Sequence, residues 1–203
     1  TTEIYVSTAY QMTQLKWTGS TWQQTIIWSP PAPEQIYQIA AGDVDNDGKR
    51  EIYLLTNVHL YQCKYSGSQW TWAAVGPDSL FLPGVIAVGD GNGDELPEFY
   101  VFEHNRHEIL ECKWTGTQWF TSSVMISNCR NWIAVGDGNG DGKKEVYADN
   151  SNAPEYFITQ YAYSGSYWSS QSIGRISGYG VVSSYRHLAL GDGENDGSFE
   201  IYA

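Results

Sequence analysis

Hydrophobic and polar residues alternate in short runs along the whole chain, and no stretch has helical spacing. Five runs share one wording: Glu3-Ile4-Tyr5-Val6, Glu51-Ile52-Tyr53-Leu54, Glu98-Phe99-Tyr100-Val101, Glu145-Val146-Tyr147-Ala148 and Glu200-Ile201-Tyr202-Ala203. Their β-branched and aromatic content predicts strands. A second set is Ile39-Ala40-Ala41-Gly42, Ile86-Ala87-Val88-Gly89, Ile133-Ala134-Val135-Gly136 and Leu188-Ala189-Leu190-Gly191. These predict short strands of small side chains, suited to the crowded centre of a radial assembly. A third set places aromatics on either side of a glycine: Trp17 to Trp22, Tyr65 to Trp70, Trp114 to Trp119 and Tyr163 to Trp168. The glycine predicts a hairpin turn between two strands.

The hairpins recur at intervals of 48, 49 and 49 residues, so each unit holds four short strands. A repeat of about 40–50 residues with four strands predicts the blade of a β-propeller. The fold expected is therefore all-β, four blades in one domain over residues 1–203. The chain opens on a second-strand sequence and ends on another. Pairing of the terminal strands would close a four-bladed ring. The duplicated Glu-Ile-Tyr leaves two alternatives open, a piece of a larger propeller or a ring assembled from more than one copy.

Between the first two strands of each unit lies an acidic loop. The four are residues 43–51, 90–98, 137–145 and 192–200. In the first, Asp43, Asp45, Asp47 and Glu51 occupy positions 1, 3, 5 and 9, with Gly48 at position 6. Alternate side chains on so tight a turn converge on one point, and convergent oxygens suit Ca²⁺, which takes six to eight of them. The residue at position 7, Lys49, would offer its backbone carbonyl. The corresponding sets are Asp90, Asn92, Asp94, Leu96 and Glu98; Asp137, Asn139, Asp141, Lys143 and Glu145; and Asp192, Glu194, Asp196, Ser198 and Glu200. Leu96, Lys143 and Ser198 would likewise act through carbonyls. Polar turns alone do not call for an acid at position 9 four times. An EF-hand would put its Glu at position 12 between helices.

Composition sharpens this picture. Net charge is −12, and the four loops hold 15 of the 23 acids. Four Ca²⁺ would leave −4, which argues against nucleic acid or an anionic membrane as partner. No run approaches the ~18 apolar residues of a membrane span. There is no signal-peptide pattern, and Thr1 reads as the start of a mature chain or an excised fragment. Cys63 and Cys112 share one repeat position with Leu15 and Tyr161, which predicts an inward packing site rather than a disulfide. Cys129 is read as free.

The Gly-Asp-x-(Asp/Asn)-x-Asp-Gly-x-x-Glu loops and four-stranded units resemble the FG-GAP/VCBS repeats of integrin α-subunit propellers and secreted bacterial propellers. The resemblance spans nearly the whole chain. It implies a Ca²⁺ loop between the first two strands of each blade. Three features depart from it: Glu rather than Asp ends every loop, Glu95 replaces the position-6 Gly, and Glu194 replaces Asp or Asn at position 3. Loops one and three keep the pattern best.

No nucleophile elbow or His-Glu-x-x-His motif is present, so no catalytic residue is assigned and a non-enzymatic role is expected. The first functional expectation is a calcium-stabilised scaffold for a protein partner, in an extracellular or cell-surface setting where millimolar Ca²⁺ fills such sites. The second is glycan binding through aromatic faces. Trp17, Trp22, Trp70, Trp114, Trp119 and Trp168 repeat and read as packing between blades. Trp28, Trp72 and Trp132 do not repeat and read as candidates for an exposed surface. His104-x-x-His107 could hold a transition metal, though two loop histidines are more often solvated.

Overall fold

A computed structural model describes residues 3–76, 84–129, 132–152, 155–176, 189–191 and 200–202. Among these residues every regular element is a strand, and no helix is long and apolar enough to cross a membrane. The first sheet holds β1 (Glu3–Thr8), β2 (Gln11–Trp17) and β3 (Trp22–Trp28). Three four-stranded antiparallel sheets follow. They are β4 (Ile36–Gly42), β5 (Glu51–Thr56), β6 (Leu60–Tyr65) and β7 (Trp70–Val75); β8 (Ile86–Gly89), β9 (Glu98–Glu103), β10 (Glu108–Trp114) and β11 (Trp119–Ile126); and β12 (Ile133–Gly136), β13 (Glu145–Asn152), β14 (Glu155–Tyr163) and β15 (Trp168–Ile176). The last sheet is the pair β16 (Ala189–Gly191) and β17 (Glu200–Tyr202).

Each unit is a meander, with strands paired to their sequence neighbours. The hairpin turn is fixed twice over. Thr18, Ser66, Thr115 and Ser164 each close the turn with a backbone amide and a side-chain hydroxyl on the same carbonyl three residues on. The aromatics flanking the turn then meet across the strands, with ring centroids 5.1–5.4 Å apart.

The small-residue strands β4, β8 and β12 lie side by side, with β1 next to β4 and β16 next to β12. Small side chains are required there. A Cβ on Gly42 would come within 2.2 Å of Val88, and one on Gly89 within 2.6 Å of Val135. The glycine ending one inner strand thus makes room for the valine of the next.

Apolar side chains fill the gaps between successive sheets. Ile52, Leu54 and Cys63 pack onto Met12 and Trp28. Phe99, Val101 and Cys112 pack onto Tyr53 and Leu55. Val146, Ala148 and Tyr161 pack onto Tyr100 and Phe102. The shared position of Cys63, Cys112 and Tyr161 is buried, as the repeat pattern predicts, and its thiols are pushed up to about 12 by burial. None of the three cysteines forms a disulfide, and all three are buried.

The terminal strands do not join. The first sheet and the β16–β17 pair are separate, and neither contains a strand of the other. The expected closure fails for a simple reason. Glu200-Ile201-Tyr202 already holds the place beside β16 that Glu3-Ile4-Tyr5 would take, with Gly191 opposite Glu200 as Gly42 is opposite Glu51.

Candidate metal centre

Each acidic loop connects an inner strand to the strand that starts with its position-9 glutamate. Asp43 accepts amide hydrogen bonds from Asp47 and Gly48, at 2.9 Å each. Asp90 accepts them from Asp94 and Glu95, and Asp137 from Asp141 and Gly142. The position-5 carboxylates of Asp47, Asp94 and Asp141 accept the amides of Lys49, Leu96 and Lys143. The loops are therefore folded by their own carboxylates.

Position 6 sits in the left-handed region in all three, at φ 84° for Gly48, 70° for Glu95 and 85° for Gly142. The non-glycine at 95 takes the same backbone as its glycine counterparts and bears the cost, about 1–2 kcal/mol. Replacing Glu95 with Gly is expected to stabilise the protein by a net of about 0.5–1 kcal/mol once the larger entropy of an unfolded glycine is subtracted. Chemical denaturation would read this; a Glu95→Gly variant less stable than the parent would contradict it.

The oxygens converge in two loops. Ligand atoms of Asp43, Asp45 and Glu51 lie within 4.8 Å of one another, as do those of Asp90, Asp94 and Glu98. Loop three does not draw its acids that close. Its Asn139 amide donates to Asp141 and Glu145 at 3.3 and 3.4 Å. The difference follows from lysines that the sequence reading did not assign. Lys64 bonds Asp45 and Asp47 at 2.5 and 2.8 Å, and Lys113 bonds Asp94 at 2.5 Å and lies 3.5 Å from Glu98. Ala162 fills the corresponding place beside loop three. An ammonium bridges two acids in each of loops one and two, and among the described residues no lysine is seen paired with the acids of loop three. Of loop four, Asp192, Glu194, Asp196 and Ser198 lie outside the described residues; the backbone of Glu200 opens β17.

The position-9 glutamates of loops one, two and three are almost fully buried, and each accepts the hydroxyl of the tyrosine two residues on: Tyr53 to Glu51, Tyr100 to Glu98 and Tyr147 to Glu145. Gln62 adds bonds to Asp45 and to Tyr53. A Glu-Tyr-Gln-Lys cluster also occurs in the first sheet, which has no acidic loop. There Glu3 receives Tyr5, Gln14 and Lys16.

This built-in comparison is informative. The Tyr5 hydrogen bond, aided by Lys16 and Gln14, holds Glu3 below the usual carboxylate range. Burial pushes Glu51 up to about 7 and Glu98 up to about 8, with neighbouring loop carboxylates adding to the shift. Burial also raises Glu145. The loops carry more negative charge than the cluster can satisfy. Two buried carboxylate oxygens, Asp45 Oδ1 and Glu98 Oε1, make no hydrogen bond.

The other candidates fall out differently. Trp28 and Trp132 are buried, so of the three non-repeating tryptophans only Trp72 offers an exposed surface. Trp70 and Trp168 pack across sheets, onto Tyr5 and Tyr100, and Trp119 packs onto Phe99 within its own sheet. Trp17 and Trp22, on the first sheet, are exposed. His104 and His107 are exposed, with rings 6.1 Å apart over Phe102, and border a cavity of about 180 Å³ with Asn128 and Cys129. A larger polar cleft of about 560 Å³ runs beside loop three, lined by Asn139, Glu145, Gln160 and Gln171 among others.

No protein-family model matches this chain, and no curated protein matches it in sequence.

Proposed function

We propose that the chain is a calcium-stabilised β-propeller of the FG-GAP/VCBS type, acting outside the cell as a non-enzymatic scaffold for a partner. The observation that carries the reading is the unsatisfied charge of the loops. Glu3, where no loop is present, is held below the usual carboxylate range, whereas the buried Glu51 and Glu98 beside the loops are raised, first by burial and further by neighbouring carboxylates. A divalent cation in the loop supplies the missing charge and a ligand bond for Asp45 Oδ1 and Glu98 Oε1, which make no hydrogen bond. The donor set is entirely oxygen, which suits a hard ion and not a thiophilic one. Nine-residue loops that fold on their own backbone favour Ca²⁺, with its loose geometry, over octahedral Mg²⁺.

The ion then pins the turn between the inner strand and its neighbour in each sheet. The partner surface is left to the exposed parts of the sheets, where Trp72 remains the aromatic to test against glycans. Calorimetric titration of metal-stripped protein tests the reading. Calcium is expected to bind at several sites per chain and more tightly than magnesium. Absence of calcium heat at millimolar concentration would reduce the loops to polar turns.

A further inference from the structure

The turn between β9 and β10 carries donor chemistry that the acidic loops do not use. The equivalent turns hold two residues in the first sheet and three in the second. The third sheet has four, His104-Asn105-Arg106-His107, and the first and last are histidines. Glu103 and Glu108 form the strand pair just before the turn, so the two histidines are neighbours across the hairpin. Several bonds hold this turn in shape. The buried Glu103 carboxylate accepts the amides of Asn105 and Arg106, at 3.1 and 2.6 Å. His107 takes left-handed backbone, at φ 54°, and its carbonyl accepts the Ser127 amide at 2.6 Å. Ser127 is itself fixed, since its hydroxyl oxygen accepts Tyr161 at 2.9 Å and the Cys129 amide at 3.1 Å.

The two imidazoles rest against Phe102, with ring centroids 5.6 and 6.3 Å from its ring. They lie 6.1 Å from each other, with planes 32° apart. An ion about 2.0–2.1 Å from one nitrogen of each ring sets two imidazole centroids about 5–6.5 Å apart at tetrahedral or wider angles. The observed separation falls in that range. Among the described residues, neither ring has a hydrogen-bond or ion-pair partner, so its nitrogens are uncommitted.

We propose that His104 and His107 form a two-imidazole site for a divalent transition-metal ion, Cu²⁺ before Ni²⁺ or Zn²⁺, separate from the acidic loops. Imidazole donors suit these ions, and the first-row affinity order places Cu²⁺ highest. The loops offer oxygen alone and suit hard ions, so the two kinds of site draw different metals from one mixture. A cavity of about 180 Å³ borders both histidines, with Asn128 and Cys129 on its other walls. It leaves room for water to complete the ion's coordination. The Cys129 thiol stands outside the ligand set, because it is held at 3.3 Å by the Trp132 carbonyl and by Asp149. The site depends on a turn shape that neither the first nor the second sheet has.

Pulsed electron paramagnetic resonance of the full chain with equimolar Cu²⁺, in excess Ca²⁺ at neutral pH, tests this. Modulation from the remote nitrogens of two coordinated imidazoles is expected. His104→Ala and His107→Ala should each weaken copper binding about a hundredfold, because the remaining imidazole loses its tethered partner. Both residues are exposed, so circular dichroism should be unchanged in either variant. His59→Ala is the control and should keep the signal, since His59 lies in the second sheet, 3.1 Å from Glu34. Copper bound through oxygen alone, no copper bound, or a two-imidazole signal that survives either substitution would overturn the proposal. So would loss of that signal in His59→Ala. The loops have no nitrogen donor, so a negative result here leaves the calcium reading standing. Failure of calcium to bind would leave the imidazole signal just as readable.

Discussion

Calcium added to metal-stripped protein is expected to raise its unfolding midpoint by about 15–30 °C. A ligand present at a hundred times its Kd stabilises by about 2.7 kcal/mol per site. In a domain of this size 1 kcal/mol moves Tm by about 2–4 °C. Three filled loops together therefore account for the range. The shift should depend on pH in a defined direction. Glu51 and Glu98, with folded values of about 7 and 8 against an ordinary 4.5, take up protons on folding without metal. Their raised values favour the folded state below 4.5, and that advantage is lost as pH rises through 7 to 8. The metal-free protein is thus expected to lose stability as pH rises. Calcium requires the ionised carboxylates, so its gain should be largest above about pH 8 and shrink as pH falls. Differential scanning calorimetry at several pH values, with chelator or with Ca²⁺, would check both slopes. A calcium gain that grows toward acid pH would contradict the assignment.

Replacing Lys113 with Met is expected to have opposite effects in the two states. Without metal, the ammonium between Asp94 and Glu98 is the charge that holds loop two together. Its loss should cost about 1–3 kcal/mol, limited because Glu98 can protonate instead. With calcium, the ammonium is a competitor for the same oxygens, and its removal should tighten binding about tenfold, or 1.4 kcal/mol. Lys64→Met should behave alike at loop one. Ala162→Lys tests the converse, since loop three has an alanine where the others have lysine. That substitution should firm the metal-free loop and weaken its calcium site. Urea denaturation and calcium titration of the variants would read both effects. If Lys113→Met left calcium affinity unchanged, the lysine would be a structural clamp and no rival of the ion.

The strands, hairpins and loops were legible because each repeats, and repetition exposes a pattern that one copy would hide. Cys63 and Cys112 were placed correctly by what stood in their position elsewhere. The loop partners were harder to see. Lys64 acts on Asp45 from 19 residues away and Lys113 on Asp94 from the same distance, across a strand pairing that sequence spacing does not display. Their signal was present in the recurring Gln-x-Lys or Glu-x-Lys of residues 14–16, 62–64 and 111–113. The order of trust among the loops also changed. Loop two was marked down for Glu95, yet it gathers its carboxylates while loop three does not, because a lysine outweighs a glycine there.

Trp28 and Trp132 show a different limit. Failure to repeat suggested exposure, but burial is set by neighbours in space. Trp28 lies at the end of β3 against Tyr61 and Trp72, and the amide of Trp132 bonds to Asp149. The terminal strands show another. The expected closure treated the two Glu-Ile-Tyr copies as alternatives for one slot. The structure keeps both, one inside a pair and one at an edge.

The most direct measurement is the anomalous difference density of a crystal grown in calcium. Ions are expected in loops one, two and three, bound by Asp43, Asp45, Asp47 and Glu51 and by their counterparts at the other two. Lys64 and Lys113 should have swung off Asp45 and Asp94. Empty loops, with both lysines still on Asp45 and Asp94, would contradict the account.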